Sequence, residues 1–158
     1  MSVWWRSGAL RTSDSYKTVA DAARTVRGMT PRLDLIGIVT SDMSRSLAFY
    51  RLLGLTFDDG AEDTPHVEVT LDGGMRLAWD TVATIQGFDP TWSTPSGGAR
   101  VALAFDCDTP DGVDAAYGLL TDAGHVGHLS PWDAVWGQRY AIVHDPDGNT
   151  IDLFADVG

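Results

Sequence analysis

One pattern of elements occurs twice along the chain, and that repeat restricts the fold more than any other feature. Residues 33–40 are rich in Ile, Leu and Val and read as a strand. Asp42 or Ser44 then caps a helix running to about Leu53, with Leu47, Tyr50 and Leu53 on one face and Gly54 after its end. Short strands follow at 55–58, 66–71 and 75–79, the last two joined by the turn signal Asp72-Gly73-Gly74. The order then begins again. Residues 100–107 read as a strand and 111–123 as a helix, with Val113, Ala116, Tyr117 and Leu120 on one face and Gly124 beyond it. Strands at 125–129, 138–144 and 150–154 complete the second round, with a tight turn at Asp145-Pro146-Asp147-Gly148. Tyr50-x-x-Leu53 and Tyr117-x-x-Leu120 hold matching helix positions. Two βαβββ modules, about 33–80 and 100–154, therefore lie end to end in an α+β chain. Neither half is large enough to bury its own sheet, so the two must pack together.

The totals fit one domain. The chain has 158 residues, 44% of them hydrophobic. Its net charge of −11 argues against nucleic acid, whose phosphates need Lys and Arg, and favours a cationic ligand if it favours any. No run approaches the roughly 18 apolar residues of a membrane helix, so no membrane partner is expected. The single cysteine, Cys107, rules out an internal disulfide and fits a reducing cytoplasm; in its apolar strand it reads as a small buried hydrophobe. Residues 1–28 differ from the rest, with Arg6, Arg11, Lys17, Arg24 and Arg27 against only Asp14 and Asp21. They read as a basic N-terminal extension, the domain itself spanning 29–158.

Two segments carry a family likeness: Ser41-Asp42-Met43-Ser44-Arg45-Ser46-Leu47-Ala48-Phe49-Tyr50 and Asp145-Pro146-Asp147-Gly148-Asn149-Thr150-Ile151-Asp152-Leu153-Phe154. In this order and spacing they resemble the vicinal-oxygen-chelate superfamily, which includes glyoxalase I, extradiol dioxygenases and bleomycin-resistance proteins. That likeness implies two βαβββ modules forming a cupped mixed sheet. The stretches from Leu71 to Thr81 and from Pro131 to Val143, rich in tryptophan, are similar to mitomycin-resistance-type drug-binding proteins. The likeness implies a homodimer that sequesters an antibiotic, often between aromatic rings.

Metal-dependent members place ligands on four strands facing one cup. By resemblance these positions fall on Leu35, Ala78, Ala102 (or Arg100, if the register slips by two) and Asp152. Only Asp152 has a metal-binding side chain, and zinc, iron or nickel needs three or four converging donors. No metal and no other cofactor is therefore expected. His125 and His128, three apart in a strand, should point to opposite faces, and His144 should stand exposed at its turn.

Strand alternation sorts the remaining candidates. Val101, Leu103, Phe105 and Cys107 should pack beneath the helices. Leu35, Gly37 and Val39, with His66, Glu68 and Thr70, should face the cavity, as should the small Ala78, Ala102 and Ala104. Trp79 alternates toward the core. Trp132 and Trp136 fall in a loop before a cavity strand; Trp92 and Phe88 lie in the connection between the modules. Trp136 is the first choice for stacking on a ligand and Trp132 the second, with His66, Glu68, Asp152 and Tyr140 as polar anchors around Ala78 and Ala102. The expected function is metal-free sequestration of a planar aromatic small molecule, with no catalytic residue. The alternative is a metal-free lyase or isomerase using Glu68, His66 and Asp152 as acid-base groups. A dimer whose aromatics merely fill the interface is a third reading.

Overall fold

The computed structural model describes residues 31–158; the basic extension lies outside the described residues. Along the chain run β1 (Leu35–Thr40), α1 (Met43–Leu52), a 3-10 turn (Ala61–Asp63), β2 (His66–Thr70), β3 (Arg76–Thr81), α2 (Val82–Phe88), β4 (Ala102–Asp106), α3 (Pro110–Asp122), β5 (Val126–Ala134), β6 (Gln138–His144) and β7 (Thr150–Asp156). They form two mixed sheets, in the orders β1-β3-β2 and β4-β7-β6-β5. In each, the module's first strand runs parallel to its last, and the remaining pairs are antiparallel. The architecture is α+β, as the repeat implies.

Caps and turns follow the local chemistry. The Asp42 carboxylate accepts the Arg45 N–H at 3.0 Å and starts α1. Thr109 caps α3 from its side chain, with Pro110 in the first turn, where no N–H is needed. The β2–β3 hairpin turns on Gly73 and Gly74, both at positive φ. One face of each sheet packs under the helices. On the first, Ile38, Trp79 and Val67 lie side by side and are buried. On the second, Leu103, Ile151 and Val143 pack with Val113 and Leu120 of α3. Trp79 is fully buried, edge-on to Tyr50 at 4.9 Å and to Phe57 at 5.2 Å.

Three local expectations are corrected, and one helix is added. No strand forms at 55–58. Leu55 and Phe57 instead pack on the core by their side chains, with Phe57 against Trp79 and beneath Arg51, so the first module has three strands. The connection after β3 contains α2, capped by Thr81; none of its residues is buried, so it leaves no apolar stripe to read. Trp132 lies in a strand, because β5 continues through Pro131 to Ala134 with two register shifts, which an edge strand tolerates. Val101 precedes β4 and is 74% exposed rather than packed beneath a helix.

The modules are joined by a buried carboxylate. Asp145, 4% exposed, accepts the Asp147 and Asn149 N–H groups on Oδ1 at 3.0 and 2.8 Å. Its Oδ2 accepts the Asn149 side-chain amide at 2.8 Å and the Tyr50 hydroxyl at 2.9 Å. Beside it, the Ser41 N–H and hydroxyl both donate to Asp147 Oδ1 at 2.8 Å. Burial, and then the neighbouring Asp145 charge, push the Tyr50 phenol above its ordinary range, so it stays a donor. Tyr50→Phe removes one donor from a buried carboxylate and should cost about 1–3 kcal/mol in urea unfolding. A loss below about 0.5 kcal/mol would show that this bond adds nothing net.

Candidate functional site

Each sheet has a second face that the helices do not cover, and the candidate residues divide between these two faces. Pairing register aligns His66 with Asp80 and Val39, Glu68 with Ala78 and Gly37, and Thr70 with Arg76 and Leu35 on the first. In the middle row Gly37 and Ala78 are small, and Glu68 is the one long side chain. An ion-pair chain runs along this face. His66 Nδ1 meets Asp80 at 2.8 Å and its Nε2 meets Glu68 at 3.1 Å. Arg76 then holds Glu68 at 2.5 Å and Asp34 at 2.6 Å. Ala78, in the middle of this face, is only 2% exposed.

On the second sheet, Trp132, Tyr140, Phe154 and Asp106 share one row, and Ile142, Asp152 and Ala104 the next. Ala102 follows beside Thr150 and is exposed. At the β5–β6 turn Trp136 swings its ring onto this row. Its centroid lies 5.5 Å from Tyr140 and 6.4 Å from Trp132, and Trp132 and Tyr140 are 5.3 Å apart, all edge-to-face. The indole N–H of Trp136 donates to Gln138 Oε1 at 3.0 Å, and Gln138 Nε2 donates to Asp156 at 3.1 Å. Burial first, and the nearby Asp152 carboxylate second, push the Tyr140 phenol up to about 12. Gln138 and Tyr140 thus face the open side, while Arg139 turns to the other, to Asp114 and Asp133. Trp136 remains 59% exposed.

Other side chains take clear positions. His125 packs edge-on to Phe49 at 4.8 Å, and His128 lies 4.9 Å from His144. His144 was expected to be exposed, but its Nδ1 is buried without a partner. Burial pushes the Cys107 thiol up, away from a reactive thiolate. Among the described residues no group of three His, Cys, Asp or Glu side chains is placed to hold a metal, and no helix is long and apolar enough to cross a membrane.

A cavity of about 740 Å³ opens where β1 and β4 present their free edges to each other. Residues of the 92–101 connection and of the 147–150 turn close it. None of the eight candidates lines it. Gly37 and Val39, expected to face a cavity, do line it, as do Trp92 of the connection and Arg100, the alternative ligand position; nothing in the sequence pointed to Ser41 or Asp147 as lining residues.

His66 sits between two carboxylates, and the hydrogen bond to Asp80 is the main cause that raises its pKa above 6.5. A raised folded pKa stabilises the fold fully below the unfolded value, and that contribution is lost as pH rises through the folded one. Wild type should therefore exceed His66→Gln in stability most at about pH 5, with the gap closing toward about pH 9. A gap that widened with pH would reverse the assignment.

Comparison with known proteins agrees with this geometry. A family model, the Glyoxalase/Bleomycin resistance protein/Dioxygenase superfamily, matches residues 32–153. No curated protein matches the chain. Among solved structures, a glyoxalase/bleomycin resistance protein/dioxygenase family enzyme from Burkholderia phytofirmans PsJN is 19% identical, with a TM-score of 0.69, over 80% of this chain and 100% of that one. A glyoxalase/bleomycin resistance protein/dioxygenase from Nocardioides is 23% identical, with a TM-score of 0.65, over 90% and 93%. A glyoxalase-related enzyme from Fulvimarina pelagi is 21% identical, with a TM-score of 0.67, over 79% and 88%. At these identities the structures speak for the fold, and with the family match over most of the length the chain belongs to the glyoxalase/bleomycin resistance protein/dioxygenase superfamily.

Proposed function

We propose that the protein is a metal-free binding protein that sequesters a planar aromatic small molecule, such as an antibiotic, on the open face of its second sheet. One observation carries the reading: Trp132, Trp136 and Tyr140 form a continuous aromatic surface that leaves Trp136 largely in solvent. Large rings are costly to leave wet unless something covers them. The three rings touch one another edge-on, so a flat ligand stacks on the outer face of Trp136 rather than slipping between them. Ala102 and Ala104 leave room beside it, and Asp106, Asp152 and Asp156 border it. A ligand bearing donors or a positive charge fits that border. The likeness to mitomycin-resistance-type proteins points the same way.

The acid-base alternative has less support. His66 has both ring nitrogens engaged, Glu68 is held by Arg76 and His66, and Asp152 lies on the other sheet. The open face also carries Val126 and Leu129, 62% and 46% exposed, which favours a homodimer with a second copy over this sheet. Light scattering at micromolar concentration should report the dimer; a monomer there would reject it.

The ligand is to be found by tryptophan-fluorescence titration against a panel of aromatic antibiotics. Trp136→Ala should weaken its binding roughly tenfold to a hundredfold, the equivalent of about 1–3 kcal/mol of stacking. The melting temperature should barely move, because an exposed turn ring supports the core weakly. Unchanged affinity would remove Trp136 from the site, and a collapsed melting temperature would return it to the core.

A further inference from the structure

The junction cavity differs in chemistry from the aromatic surface, and none of Trp132, Trp136 and Tyr140 lines it. Its walls are apolar where Ile36, Val39, Trp92 and Val101 contribute. Two charged side chains stand in the lining, Arg100 and Asp147. Asp147 spends Oδ1 on Ser41, and its Oδ2 is buried without a hydrogen-bond partner. Arg100 is the informative group. Residues 31–158 contain twenty Asp and Glu side chains against six arginines and no lysine. Arg51, Arg76 and Arg139 have each found carboxylates among them. Arg100 has none among the described residues, although it borders a cavity that contains a carboxylate. A guanidinium left unpaired in so acidic a body, at the rim of an apolar cavity, is suited to an anion brought from outside.

We propose that the junction cavity is a second ligand site, for a small apolar molecule with one anionic group. The apolar part fills the space between the free edges of β1 and β4, against Trp92. The anionic end, a carboxylate or sulfonate, pairs with Arg100, and a donor on the same molecule would satisfy Asp147 Oδ2. The volume of about 740 Å³ admits a molecule of two or three rings. This site does not rest on the sequestration reading, because it shares no residue with the aromatic surface.

The test uses 8-anilinonaphthalene-1-sulfonate, an aromatic monoanion, titrated by fluorescence and calorimetry into the full chain. Wild type should bind one equivalent saturably. Arg100→Ala should weaken binding about tenfold or more, as expected for losing a hydrogen bond to a charged group. Arg100→Lys should restore part of it, and Trp136→Ala should leave it unchanged. Equal binding by wild type and Arg100→Ala would overturn the proposal. So would loss of binding in Trp136→Ala, since the probe would then occupy the aromatic surface. The sequestration reading is judged separately, by the antibiotic titrations of Trp136→Ala.

Discussion

The Asp145 carboxylate is the constraint on which the two-module arrangement depends. It lies almost out of water and is tolerated there because four donors surround it, three from its own turn and one from Tyr50 in the other module. A buried carboxylate with a missing donor is costly, so the turn and helix α1 must meet for either to be stable. Ser41 and Asp147 repeat the link a few residues away. Both positions in which the family likeness is concentrated are therefore halves of one contact. The motif residues hold the modules together, and the open sheet faces take no part in that contact.

That freedom shows in how differently the two open faces are finished. The first is occupied by the protein's own charges, with His66, Glu68 and Arg76 linked along the row of Gly37 and Ala78. The second stays open and is lined with rings and carboxylates. One module thus supplies a polar face closed by its own ion pairs and the other an open face of rings and carboxylates, although both derive from the same repeated plan.

Period-two and helical patterns were enough to place β1, β2, β3, β4, β6, β7 and the helices α1 and α3, because each buries one clear apolar side. They failed where burial is not periodic. Phe57 joins the core from a segment that pairs with no strand, and α2 buries nothing at all. Alternation grouped His66, Glu68 and Ala78 with Ala102, Asp152 and Tyr140 around one cavity, whereas the structure divides them between two sheets; nor does anything local reveal that His66 is gripped from both sides. The cavity was hardest to read. It arises between two strand edges more than sixty residues apart, and its lining comes from a connection of Ser, Thr, Pro and Gly that has no pattern to follow.

The kinked outer strand β5 has a consequence for assembly. A straight edge strand offers its unpaired amides to any neighbouring chain and invites uncontrolled stacking of sheets. β5 carries Pro131, which has no amide to offer, and two register shifts that break the even spacing of the rest. The molecule can therefore show water Val126, Leu129 and Trp136 along this rim without offering a template for fibre growth. Contacts made there must proceed through side chains, broadside, and so can be both tight and reversible.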